Sequence, residues 1–289
     1  MRFLISQFLL ICFFFFCKTN QQQHREQYTN YDNSFLKDVH ISIHRGGGFE
    51  EGWPENSLES FKHYHEVLPK AMIECDVRMT KDSVLVLMHD ESLERTSTGS
   101  GLVSEKTYKE LSVFFLKDNF GNITSHKIPT FNEVLQWANQ ETPLTVDIKR
   151  NIPHQRIIEE IETLDFFGNC LLTTYSWSEV LTINNLSKKA VISVGIRSMD
   201  EYRKFISTGI SANRIAAFTG TQNPDRKLLK LLKRKRIPTI LGTLGKLDAL
   251  AESKNNEPYL NWYKNGVQIF ATDRPLEAQL TLNKYIATQ

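Results

Sequence analysis

A surplus of charge is the first thing this chain lacks. Its 35 Lys and Arg stand against 33 Asp and Glu, a net charge of +2 at neutral pH, and so even a balance gives nucleic-acid binding no support. Cysteine is scarce as well. Of the four present, Cys12 and Cys17 belong to an N-terminal apolar run, which leaves Cys75 and Cys170 in strand-like segments. Two such residues do not make a disulfide framework, and both are expected as buried thiols acting as small apolar side chains. No internal repeat is present, and no low-complexity tract beyond the N-terminal run. That run is also short of the roughly 20 apolar residues that a transmembrane helix needs.

What stands at the N-terminus is "MRFLISQFLLICFFFFCKTN": one positive charge, an apolar stretch, then Cys17 and a polar tail. These flanks suit an export signal over residues 1–16. The placement of Cys17 resembles a bacterial lipoprotein signal, in which that cysteine becomes the lipid-bearing N-terminus. Phe14 to Phe16 are bulkier than the small residues usual before such a site, so ordinary secretion and an uncleaved anchor stay open. The expected location is exported, periplasmic or on the cell surface, and held to a bacterial membrane. Residues 17–38 are polar and lack any period, which predicts a flexible tether. Residues 39–289 then suit one barrel of about 250 residues.

From Ile41 onward, short apolar runs end in polar residues. In "AMIECDV", Glu74 and Asp76 share one face of a strand and Cys75 and Val77 the other, because side chains alternate with period two. By the same parity His44 lies in line with Ser42, His89 with Leu87 and Leu85, and Asp147 with Lys149. Buried parallel strands deliver chemistry to the rim of an α/β sheet or barrel in this way. Helical patches alternate with the runs at 131–139, 154–167, 177–187, 200–207, 225–235 and 275–286, with an earlier helix capped by Asn56. This alternation predicts parallel β-structure with right-handed crossovers. Nine strands are countable where a barrel takes eight, so either the run near 77–84 hides a hairpin strand or "RIAAFTG" is misread.

The string "HRGGGFEEGWPENSLESF", followed by "IECDVRMTKDSVLVLMHDESLERTSTGSG", resembles the glycerophosphodiester phosphodiesterase family. The likeness lies in His-Arg-Gly, Pro-Glu-Asn, Glu-x-Asp-Val, Thr-Lys-Asp, His-Asp and Arg-Thr in that order. "IPTFNEVL", "DIK" and "GVQIFATDRP" extend it to Pro275. It implies a TIM (β/α)8 barrel, here with an insertion after the third strand, and metal-dependent hydrolysis of small glycerophosphodiesters to glycerol 3-phosphate and an alcohol.

By that resemblance Glu74, Asp76 and Asp147 hold one divalent cation, calcium or magnesium, as hard oxygen ligands suit. Asp147 stands where the family usually has Glu, which shortens the reach by roughly 1.5 Å, one carbon–carbon bond. His44 and His89 take the acid–base or nucleophilic roles, since imidazole titrates near pH 6.5, and which does which stays open. Arg45 and Lys149 would hold the phosphate, with Glu55 and Asn56 in support. Residues 91–130 would lie over the C-terminal face of the barrel and shape the pocket, where Phe114, Phe115 and Phe120 either contact the substrate or pack on the barrel. "GTLGKLD" at 242–248 is either a phosphate cradle or a tight turn before a helix. The basic residues from Lys227 to Arg236 are the solvated face of an outer helix or a site for anionic headgroups. Asp273 and Arg274 are expected as salt-bridged rim residues. The alternatives to a phosphodiesterase of small diesters are a barrel phospholipase, of lysophospholipase D or phospholipase C type, and a catalytically silent receptor for lipid or sugar phosphates.

Overall fold

A computed structural model describes residues 31–139 and 141–287. The expected signal, Cys12, Cys17 and most of the expected tether lie outside the described residues. Among the described residues no helix is long and apolar enough to cross a membrane.

The strands are β1 (Ile41–Ile43), β2 (Met72–Met79), β3 (Leu85–Leu87), β4 (Leu144–Ile148), β5 (Cys170–Thr173), β6 (Val191–Gly195), β7 (Ile215–Phe218), β8 (Thr239–Gly242) and β9 (Ile269–Thr272). Parallel pairing runs from β1 through β2 and β4 to β9, and β9 pairs back onto β1. Eight parallel strands therefore close into a TIM barrel, whose helices lie outside it. The ninth strand is β3, antiparallel to β2 and outside the closed circuit. The "RIAAFTG" run is a true barrel strand, β7. A parallel return needs a crossover of a dozen or more residues, and only Thr80–Val84 separates β2 from β3, so a hairpin is the sole solution. Its turn is fixed by the Thr80 hydroxyl, which donates to Asp82 and accepts from the Val84 amide, and by Ser83 at a φ of 65°.

The outer helices used below are α1 (Leu58–Val67), α2 (Tyr108–Leu111), α3 (Phe131–Ala138), α4 (His154–Thr163), α5 (Trp177–Leu186), α6 (Met199–Ser207), α7 (Arg226–Arg234), α8 (Lys246–Ser253), α9 (Glu257–Lys264) and α10 (Pro275–Ile286). The N-cap of α1 is Ser57, whose hydroxyl accepts from the Ser60 amide; Asn56 is freed for a different task at the barrel mouth. On α7, Leu228, Leu229 and Leu232 are buried while the lysines face solvent.

The floor of the barrel corrects the expected tether. Leu36 and Val39 join Met72, Leu171, Val191, Ala216, Ile240 and Ile269 in one apolar cluster at the N-terminal ends of the strands. Residues 33–36 form a 3-10 turn capped by the Asp32 carboxylate. The Asn33 amide donates to the carbonyls of Ala212 and Ile215, and Gln268 donates to that of Leu36 at 2.6 Å. These side-chain bonds, which carry no hydrophobic period, make residues from Asp32 onward part of the barrel unit.

Residues 91–130 follow β3 and fold around a small core shared with it, made of Val86, Met88, Leu93, Val103, Leu111, Leu116 and Ile128, with Phe114 packed against it. Phe115 lies under the Lys127 ammonium and Phe120 is exposed. The floor interpretation makes a simple prediction. Leu36→Ala should lower stability by about 2–5 kcal/mol, as for other buried leucines, read as a fall in the urea midpoint at constant slope; a loss within error would mean that the 32–39 segment is not part of the cooperative unit.

Candidate active site

The site is built at the C-terminal ends of β1, β2, β4 and β9, where the barrel closes. Registration of β2 against β4 sets Asp76 directly beside Asp147 and Glu74 beside Thr145. Parity turns Glu74, Asp76 and Asp147 inward, and one oxygen of each lies within 4.8 Å of the others. Cys75 points to the opposite face and is buried, as is Cys170, and both are free thiols. Burial pushes both thiols up, which removes them as nucleophiles.

Three carboxylates this close repel, and the surrounding residues counter that repulsion. The Lys149 ammonium lies 2.6 Å from Asp76 and 2.5 Å from Asp147. The Asn56 amide both donates to the Asp76 carboxylate at 2.6 Å and accepts from the Asp76 backbone at 2.9 Å. That grip is possible because Asn56 has a left-handed φ of 55°, its own amide donating to the Arg45 carbonyl. Burial would raise Asp76, but Lys149 and Asn56 hold it below its ordinary range. Burial first, then the charges of Asp76 and Asp147, drive Glu74 well above its ordinary value. The Tyr175 hydroxyl donates to Asp147 at 2.8 Å, while the other Asp147 oxygen is buried without a partner. An all-oxygen trio with an unsatisfied buried oxygen and only one ammonium to balance it fits a hard divalent cation, and the short Asp147 side chain does reach the cluster.

The two histidines are oriented alike. His44 Nδ1 lies 2.7 Å from the Asp273 carboxylate and His89 Nδ1 lies 2.7 Å from that of Asp90. A carboxylate partner places the proton on Nδ1 and leaves Nε2 as the working nitrogen, and both rings line the cavity at the mouth. His44 stands in an abrupt turn. Arg45 has a φ of 54° and donates its amide to Glu74, and a Cβ at Gly46 would come within 2.1 Å of the Phe61 ring on α1. His89 is fixed through its carbonyl, which accepts two bonds from Arg78.

Asp273, read from sequence as a rim residue in a salt bridge, is thus the partner of His44. Its backbone amide donates to Asp248, a buried carboxylate that also accepts from Tyr259 and Thr272. The 242–248 segment therefore braces the last strand end, with Leu244 reaching the cavity. Arg45 lies beside the acids but outside the cavity lining, its NH1 bonded to Glu55 and its Nε 4.0 Å from Asp76. Lys149 lines the cavity. The cavity holds about 330 Å³ and extends from the acids toward a wall that includes Tyr175, Trp177, Val180, Phe218 and Leu244. No residue of 91–130 lines it, because that segment closes on the core it shares with β3.

Barrel, acidic trio and carboxylate-braced histidines meet in one site of a TIM barrel, and comparison with known proteins gives its family. The model of the glycerophosphoryl diester phosphodiesterase family matches residues 44–206, more than half of the chain. A glycerophosphodiester phosphodiesterase of Bacillus altitudinis is 29% identical over 168 residues, 55% of this chain and 66% of that relative. The chain thus spans just under two thirds of that relative's length. A crystal structure of a glycerophosphoryl diester phosphodiesterase from Parabacteroides distasonis superposes with a TM-score of 0.79 at 30% identity, covering 89% of this chain and 93% of that one. The fold is shared at 19% identity and a TM-score of 0.68 by an Oleispira antarctica phosphodiesterase solved with its product sn-glycerol-3-phosphate. The chain belongs to the glycerophosphoryl diester phosphodiesterase family.

The raised Glu74 gives a pH prediction for chelated protein. Folded Glu74 keeps its proton above the ordinary value of 4.5, so the folded state binds more protons than the unfolded one from that value up to the raised one. Stability from this group is present below the window and is lost as pH rises through it. The melting temperature of chelated Glu74→Gln should therefore fall less than that of wild type as pH rises above the ordinary carboxylate value. Equal falls would show that Glu74 ionises normally.

Proposed function

We propose that the chain hydrolyses glycerophosphodiesters to glycerol 3-phosphate and an alcohol. The observation that supports this best is the pair of Nδ1-braced histidines beside three clustered carboxylates at one cavity, in a chain of this family. Glu74, Asp76 and Asp147 would hold a divalent cation, calcium or magnesium. When bound, that cation supplies positive charge for the phosphoryl oxygens and polarises the phosphorus for attack. Lys149 adds a point charge to the phosphate from within the cavity, and Arg45 orients the acids by its amide and supplies a guanidinium beside them. Asn56 and Glu55 fix Asp76 and Arg45 in turn.

One histidine Nε2 takes the proton of the attacking water, or itself attacks phosphorus. The other gives its proton to the departing alkoxide as the phosphorus–oxygen bond to the alcohol breaks. In the direct route the water oxygen becomes the fourth phosphate oxygen and the alcohol leaves neutral; in the covalent route a water then displaces the histidine from phosphorus, breaking the phosphorus–nitrogen bond, and its proton goes to the other histidine, left neutral by the first step. The product in the Oleispira antarctica complex has the chemistry this cleavage would release. The apolar side of the cavity, Trp177, Val180 and Phe218 among it, favours a second reading in which the substrate carries an acyl chain, as in a lysophospholipase D. We also propose export with lipid attachment at Cys17, on the strength of the N-terminal run alone.

The expected results are these. Release of glycerol 3-phosphate from glycerophospho-choline, -ethanolamine, -glycerol or -inositol should stop with EDTA and return with calcium or magnesium, except in Asp76→Asn; full turnover in exhaustively chelated enzyme would refute the metal. His44→Ala and His89→Ala should each lose about 10²–10⁴-fold in kcat, and their combined loss should be far from additive. A p-nitrophenyl leaving group should rescue the variant that lacks the proton donor and not the other. Lysophospholipids turned over faster than the water-soluble diesters would favour the second reading. Mature protein that carries no acyl mass, unchanged by Cys17→Ser, would end the anchor proposal.

A further inference from the structure

Glu55 is 2% exposed, and its carboxylate takes two guanidinium groups. Arg45 NH1 donates to both oxygens at 3.1 and 2.9 Å, and Arg95 donates through NH1 at 2.9 Å and NH2 at 2.8 Å. The same Arg95 guanidinium turns its other edge to Asp90, with Nε 2.6 Å and NH2 3.0 Å from the two carboxylate oxygens. The Asp90 oxygen that accepts from NH2 is the one that accepts from His89 Nδ1 at 2.7 Å. A single chain of alternating charges therefore runs Arg45, Glu55, Arg95, Asp90, His89. It starts at the residue whose amide holds Glu74 and ends at a histidine of the cavity.

Arg95 is in the insertion after β3, and it bridges carboxylates 40 and 5 residues away in sequence. A planar fork with donors on both edges can serve two carboxylates at once; a lysine ammonium cannot. Without Arg95, Asp90 would keep only the histidine as partner and could swing toward solvent, and Glu55 would be a buried carboxylate with one counter-charge. Arg95 does not line the cavity, so it acts through Asp90 and not on the substrate. We propose that Arg95 is a positioning residue for His89, so that the insertion completes the active site without touching what the site binds. This rests on the phosphodiesterase reading above. Consistent with it, the Arg95 bonds hold Asp90 far below the usual carboxylate range and thus charged whenever His89 needs an acceptor.

The test is a double-mutant cycle on the full chain, with glycerophosphodiester and p-nitrophenyl ester substrates. Arg95→Ala should lower kcat by about 10–100-fold, the loss typical when the partner orienting an imidazole is removed, with little change in KM, when assayed well below a melting temperature that itself falls because Glu55 loses a counter-charge. The same substitution in a His89→Ala background should cost almost nothing, because the group it positions is already gone. Arg95→Lys should recover only part of the loss. Arg95 is 44% exposed, so millimolar guanidinium should restore turnover to Arg95→Ala. It should not alter Arg203→Ala, whose ion pair with Asp200 lies on the outside of α6.

Equal losses in both backgrounds, or a loss that follows the melting temperature, would make Arg95 a plain staple of the insertion and overturn the proposal. So would unchanged kcat. A readout independent of turnover separates this from failure of the function itself: the imidazole Nδ1–H proton resonance assigned to His89 by its loss in His89→Ala. It should be present in wild type and lost or exchange-broadened in Arg95→Ala and Asp90→Ala. If wild type cleaves no phosphodiester yet this resonance depends on Arg95, the function reading fails and the positioning stands; if the resonance ignores Arg95, the positioning fails.

Discussion

The structure depends on one awkward placement, the parallel register that sets Asp76 of β2 against Asp147 of β4 with Glu74 one step below. Like charges about 4 Å apart repel by about 4 kcal/mol even at an effective dielectric of about 20. Everything around the mouth answers that repulsion. Lys149 spans two of the acids, Asn56 grips Asp76 from both sides, Tyr175 caps Asp147, and the Arg45 amide takes Glu74. Some of these residues adopt a conformation that would be unfavourable without the acids. Left-handed backbone at Arg45 and Asn56 is such a case, strain kept where surroundings over-determine it.

The same electrostatics arranges the histidines. Each Nδ1 is tied to a carboxylate, for His44 that of Asp273 at the far end of β9 and for His89 that of its own neighbour Asp90. The acids at the centre therefore attract cations, and the acids at the edge orient imidazoles. Two roles for one side-chain chemistry are separated by burial and by what lies next to each group.

Much of this was legible in the sequence, because period-two parity is local. Glu74 with Asp76, His44 with Ser42, and Asp147 with Lys149 share faces as their spacing requires. What parity does not contain is the direction of the neighbouring strand, so for the run at 84–90 a hairpin stays one of two readings on sequence, its sign being the short link before it, and the antiparallel pairing of β2 with β3 decides for it. Hydrogen-bonded structure without apolar period was also hidden: residues 32–38 dock through Asn33 and the Leu36 carbonyl. Asp273 was visible as a strand-end residue, but its tie to His44 spans 229 positions, and nothing local marks such a contact. Arg95 stood in a motif and had no legible role for the same reason.

The His44–Asp273 bond crosses the seam where the barrel closes, between its first strand and its last. A partly synthesised chain, ending before β9, would already carry both histidines, all three central acids and the insertion. It would still lack the acceptor that aims His44 and the strand that β1 lies against. The parts of the mouth are thus spread along the chain so that the carboxylate that orients His44 arrives only with β9, the last strand of the barrel. Fragments released by stalled synthesis or by cleavage before β9 would lack the His44–Asp273 bond, and a chain rejoined at its ends and opened elsewhere would keep it only if that seam stayed whole.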